Sequence, residues 1–122
     1  MATVLVDTAV WIDHLHVGVP DLVALLQQAR VCTHPMIIGE LALGTLGRRD
    51  QVITLLSDLT AATEATHGEV LQLIDSQQLS GKGLSLVDVH LLAATLLTPG
   101  AMLWTRDKRL RAAAADAGVA MA

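Results

Sequence analysis

Phenylalanine and tyrosine are absent from this chain, and tryptophan occurs only twice, at Trp11 and Trp104. A row of aromatic rings for stacking successive bases, which many single-strand binders carry, is thereby excluded. The core has to be aliphatic, built from Leu, Val, Ile and Ala. Cys32 is the single cysteine, so no disulfide can close within the chain. That usage fits a reducing cytoplasm. No apolar run approaches the ~20 residues that cross a bilayer as a helix, and residues 1–6 lack the basic start and long apolar stretch of a signal peptide. A cytoplasmic protein with no membrane association is expected. Positive charge is also in deficit: 8 Lys and Arg stand against 12 Asp and Glu, a net charge of -4. The sum argues against a nucleic-acid partner, but its distribution matters more. Arg106, Lys108, Arg109 and Arg111 crowd into one stretch, with Arg48 and Arg49 as a second, smaller cluster.

What is present is a 122-residue chain, 52% hydrophobic, the size of one domain with a sizeable core. Short β-branched and aliphatic runs predict strands at 3–6, 31–34, 101–105 and 119–121, with 60–65 a strand or an extended connection. Apolar periodicity predicts helices over 8–15, 21–29, 36–46, 50–59, 66–78, 85–97 and 107–117. Pro20 opens the second helix, Gly47 closes the third, and Ser85-Leu86-Val87-Asp88 has the form of a capping box with Asp for Glu. Short apolar strands alternating with helices imply an α/β fold, a three-layer α/β/α sandwich with a central, mostly parallel sheet. In such sheets, sites form beyond the carboxyl ends of the strands.

Four carboxylates stand out against that frame. Asp7 directly follows Val4-Leu5-Val6, and Asp107 lies just beyond Leu103-Trp104-Thr105-Arg106. Both belong at the same edge of the sheet. Glu40 lies in a helix apolar nearly all round, Met36-Ile37-Ile38-Gly39-Glu40-Leu41-Ala42-Leu43, and is expected to be buried without a local Lys or Arg. Asp88 makes a similar case within Leu84–Ala94. Each has a simpler reading: Asp7 (or Thr8 beside it), Asp88 and Asp107 as helix caps, Glu40 as the partner of a distant Arg. Taken together they suit phosphodiester hydrolysis with divalent cations, since Mg²⁺ prefers carboxylate oxygens. Two ions about 4 Å apart activate a water and stabilise the leaving oxygen. The four acids contribute all of the net charge of -4. With cations bound, RNA would meet a less negative groove flanked by Arg106, Lys108, Arg109 and Arg111, through salt-dependent phosphate contacts.

These residues also resemble a known family. Val4-Leu5-Val6-Asp7-Thr8-Ala9-Val10-Trp11-Ile12-Asp13 is similar to the opening of PIN-domain toxins of the VapC type. Gly39-Glu40-Leu41 resembles their second acidic motif, Leu86-Val87-Asp88-Val89-His90-Leu91-Leu92-Ala93 the third, and Trp104-Thr105-Arg106-Asp107-Lys108-Arg109-Leu110 the fourth. The motifs span nearly the whole chain in the family's order. The resemblance implies a single PIN domain over residues 1–122 and a ribonuclease dependent on Mg²⁺ or Mn²⁺. It implies the toxin half of a type II toxin–antitoxin pair: a homodimer, inhibited by a small VapB-type antitoxin. Carried over, Asp7, Glu40, Asp88 and Asp107 are the catalytic and metal-binding set, and Thr105 is the hydroxyl that orients it.

Other features carry less. His14-Leu15-His16 and Cys32-Thr33-His34 fall short of a four-ligand zinc site. Asp13 reads as a solvent-facing residue, His90 as pointing away from Asp88, and both tryptophans as packing residues. Gly81-Lys82-Gly83 is a loop too short in glycine to cradle phosphates, though Lys82 remains within reach of RNA. Two rivals stand. One is a receiver-like phosphoacceptor domain, with Asp58 as acceptor; it lacks an acidic pair after the first strand. The other is a PIN domain that binds RNA or protein without cutting.

Overall fold

The computed structural model describes residues 2–121. Along the chain run β1 (Thr3–Val6), α1 (Thr8–Val17), α2 (Pro20–Gln27), β2 (Val31–Thr33), α3 (Pro35–Leu43), α4 (Arg49–Ser57), β3 (Thr60–Ala61), α5 (His67–Ser76), α6 (Leu86–Leu97), β4 (Ala101–Trp104) and α7 (Lys108–Asp116). The strands form one parallel sheet in the order β3-β2-β1-β4. β1 is central, and Val4, Leu5 and Val6 are all buried. That explains its unbroken apolar run, since a strand covered on both faces has no solvent side to present. Right-handed crossovers put the helices of leftward and rightward steps on opposite faces. Accordingly α1 packs on α3 and α3 on α4, while α5 packs on α6 and α6 on α7. The α/β sandwich expected from the sequence is the observed fold.

The core is aliphatic as composition required, with Leu5, Leu22, Ile37, Leu41, Leu56, Leu91, Leu92, Leu103 and Leu110 fully enclosed. Cutting any one of these leucines to Ala would cost roughly 2–5 kcal/mol. α6 is the most enclosed helix, burying Val89, Leu91, Leu92, Ala93, Ala94 and Thr95. Trp11 is also buried. Among the described residues, no single helix is long and apolar enough to cross a membrane.

Most element ends fall within two residues of expectation; α3 and the last strand depart further. α3 ends at Leu43, not residue 46, because Gly44 turns extended and donates its N–H to Leu41 O. Leu43 is left 91% exposed. The last predicted strand, 119–121, shrinks to a single parallel bridge, Leu103 to Ala120. Leu103 N donates to Val119 O and Met121 N to Leu103 O, so the segment does pair with β4, only too briefly to make a strand.

Candidate active site

The strand order reverses direction at β1: β2 and β3 lie to one side of it and β4 to the other. Connections diverge there, and a crevice opens beyond the carboxyl ends of the strands. Asp7 and Thr105 are the first residues past β1 and β4, and Asp7 N donates to Trp104 O at 2.9 Å. Asp7 is half-buried, with both carboxylate oxygens engaged. Oδ1 accepts from Thr8 N at 2.7 Å, capping α1, and Oδ2 accepts from the Thr105 hydroxyl at 2.7 Å. Thr105 is only 7% exposed, and its oxygen in turn accepts the Asp107 N–H at 3.1 Å. Asp107 caps α7, its Oδ1 accepting from Arg109 N and Leu110 N at 2.9 and 3.0 Å.

Glu40 is not buried. α3 directs Ile37 and Leu41 into the core and leaves Glu40 exposed. An apolar composition does not fix which face of a helix is covered, and at about 100° per residue Glu40 falls outside the stripe shared by those two. Its Oε1 accepts from the Thr8 hydroxyl at 2.7 Å. A continuous chain of hydrogen bonds thus runs Asp107–Thr105–Asp7–Thr8–Glu40. Asp88 stands outside that chain. It is half-buried at the start of α6, where Oδ2 accepts from Ser85 N at 2.9 Å and the Ser85 hydroxyl accepts from Asp88 N at 3.1 Å. The simpler readings of Asp7, Asp88 and Asp107 as caps therefore hold alongside any chemical role. α6 begins near α7, because a methyl group at Gly83 would meet the Arg109 guanidinium at 2.8 Å.

No cation ties off the four acids. Among the described residues the ion pairs are Arg49–Asp50 at 3.5 Å and Arg106–Asp13 at 3.0 Å. Glu40, Asp88 and Asp107 each keep one carboxylate oxygen that accepts nothing from the described residues. Nor do any three His, Cys, Asp or Glu side chains among the described residues stand as a ready-made metal cage. The basic stretch does not act as one patch. Arg106 is committed to Asp13, with its guanidinium 5.9 Å from the Trp104 ring, and Arg109 leans on Gly83. Lys108 and Arg111 are exposed.

Two of the histidines serve the backbone. His14 Nδ1 accepts from Val19 N and His34 Nδ1 from Met36 N, each at 3.1 Å. Asp58, the acceptor of the phosphotransfer rival, caps the end of α4 ahead of β3. That is the amino edge of its strand, the wrong edge for the crevice.

No family model matches the chain. Curated relatives do match. Ribonuclease VapC32 of Mycobacterium tuberculosis, from strain CDC 1551 / Oshkosh and from strain ATCC 25618 / H37Rv, is 50% identical over 119 residues. The match covers 98% of this chain and 96% of either relative. The chain belongs to the VapC family of PIN-domain ribonuclease toxins. Seen as a VapC, it has two site features that the residues alone did not suggest. Thr8, read only as a possible cap, holds Glu40; its place beside Asp7 was the available signal. The Arg106–Asp13 pair spans 93 positions, and nothing in the sequence announces it. The hard-oxygen donors of this VapC site, carboxylates with threonine hydroxyls between them, suit Mg²⁺ or Mn²⁺ better than a softer metal.

Proposed function

We propose that this VapC-family chain, acting as a single PIN domain, is an endoribonuclease that hydrolyses RNA with Mg²⁺ or Mn²⁺ held by Asp7, Glu40, Asp88 and Asp107. The observation that carries this reading is the bond chain through Thr105 and Thr8. It gathers three acids at the switch point of the sheet with no Lys or Arg to neutralise them. Acids placed so, Glu40 and Asp107 each with an unengaged oxygen, leave room for a cation as counter-charge. When bound, that cation supplies the Lewis acidity for phosphodiester hydrolysis. The protein's own part is positional. Thr105 and Thr8 N fix both oxygens of Asp7. Thr8 turns Glu40 towards it, and the two caps hold Asp88 and Asp107 at the mouths of their helices. The name of the relatives supports RNA as substrate. By the same likeness the chain is the toxin of a pair, silenced by a VapB-type antitoxin, and works as a homodimer in the cytoplasm, where the lone buried Cys32 stays reduced.

The test is cleavage of a labelled RNA by the purified chain with Mg²⁺, with Mn²⁺ and with EDTA. Asp7→Asn and Asp88→Asn should each lose about 100-fold or more of the rate, beyond the 10–100-fold typical of groups that only orient a ligand. Both caps survive as Asn, so melting should shift little. Mg²⁺ should raise the parent's Tm and leave that of the variants unchanged. Full activity in EDTA, or in either variant, would overturn the mechanism, and a parent that binds RNA without cutting it would leave a non-cleaving PIN domain.

A further inference from the structure

A cavity of about 270 Å³ opens beside the acidic crevice, between the end of β4, the first turns of α7 and the 119–121 segment. Trp104, Thr105, Arg106, Lys108, Arg111 and Met121 line it. β4 alternates, with Leu103 buried and Trp104 half-buried, so the indole both packs on the core and faces this opening. Arg106 lies over the ring, Lys108 and Arg111 line the same cavity, and no carboxylate of the described residues lines the wall. Arg106 already has Asp13, but Lys108 and Arg111 form no ion pair among the described residues. The cavity shares Thr105 with the crevice, the residue whose hydroxyl holds Asp7.

The geometry points to a nucleotide subsite: one base of the RNA lies against Trp104, and its phosphate sits between Lys108 and Arg111. A flat aromatic ring sharing one cavity with two cations that form no ion pair among the described residues suits a nucleotide, which offers both a π-face and an anion. An acidic peptide would satisfy the cations and make no use of the indole beyond its contact with Arg106. The cavity is small for a free ligand and ample for one unit of a strand. Composition ruled out a row of stacking aromatics, and a single ring in a basic pocket is the arrangement still open to this chain. That the bound unit flanks the cleaved bond rests on the ribonuclease reading; the subsite itself does not.

The experiment measures binding to the full chain in EDTA, where the proposed cleavage is silent, by anisotropy of a labelled single-stranded oligoribonucleotide over a range of salt. Its abasic counterpart and an oligoglutamate peptide of equal charge are compared. Joint Lys108→Ala and Arg111→Ala substitution should weaken RNA binding about 10-fold and flatten the salt slope by about 0.7, the one phosphate held between them. Trp104→Leu should weaken it about 5- to 100-fold with the slope unchanged, and Trp104→Phe should recover most of that loss. The abasic strand should bind the parent no better than RNA binds Trp104→Leu. The surface pair keeps the test decisive if Trp104→Leu melts early, and Arg48→Gln controls for charge lost outside the cavity. Equal loss in Arg48→Gln, parent-like binding by the double variant, or the abasic strand or peptide matching RNA would overturn the subsite. A parent that cuts RNA while these contrasts vanish sinks the subsite alone. The contrasts without cleavage sink the ribonuclease reading alone.

Discussion

Thr105 has one hydroxyl and uses it twice, giving its proton to Asp7 Oδ2 and accepting from Asp107 N. Both partners are charged or belong to a helix cap, and the residue is buried, so water cannot easily replace it. Thr105→Val keeps the shape and removes both bonds. It should cost about 1–3 kcal/mol of stability for the groups left unpaired. It should also lower kcat about 10- to 100-fold with little change in KM, as expected of a group that orients a ligand without touching substrate. Thr105→Ser should restore both. Urea melts with single-turnover cleavage would check this, and a Val variant with the parent's kcat would remove the positioning role. The placement of Asp7 and Asp107 at the crevice was legible because each follows a strand, and strand ends are where an α/β crevice forms. Glu40 was picked out for a wrong reason. Its supposed burial in an apolar helix proved to be exposure, and what joins it to Asp7 is its bond to Thr8, which depends on how α3 docks beside α1. Residue order along one helix carries no such information.

α3 carries Glu40, and its first turn hangs on a histidine. His34 is 2% exposed and its Nδ1 accepts the Met36 N–H, so the ring must be neutral to cap the helix. Burial pulls its pKa below the ordinary imidazole value of about 6.5; nearby Glu64 pushes the other way and His90 adds to the fall. The unfolded chain therefore takes up the proton first. This contribution to stability is complete above about pH 6.5 and is lost as pH falls through the lowered folded value. Tm should drop between pH 7 and pH 5, and His34→Asn, whose side chain also caps, should flatten that drop. An unchanged pH profile in His34→Asn would assign the acid sensitivity elsewhere. Caps were the elements' most legible feature: Ser85 and Asp88 form the box that their spacing predicts, and Pro20 stands at the first position of α2. Ends were less so. Gly47 looked like the stop of α3, yet Gly44 turned the chain first, since either glycine meets the local requirement and only packing chooses.

At the scale of the whole molecule, the class of fold followed from alternating strands and helices, but the strand order β3-β2-β1-β4 did not, because short strands carry no label for their neighbours. That order brings Asp7 to Thr105 across 98 positions and makes the crevice. It also concentrates negative charge on a protein whose proposed substrate is a polyanion. The net charge of -4 equals the contribution of the four candidate acids, so replacing all four by amides leaves a chain near neutrality. Asn retains the caps at positions 7, 88 and 107, and folding should persist. If crevice charge is what holds RNA off when no divalent cation is bound, the quadruple amide variant should bind RNA in EDTA on the order of 10-fold more tightly than the parent at low salt. The gain should fade towards 1 M salt, where the screening length falls to about 3 Å. Cleavage should vanish at every salt concentration. Equal affinity of parent and variant in dilute buffer would mean that the acids do not repel the strand, and the cation would then have no electrostatic role in admitting it.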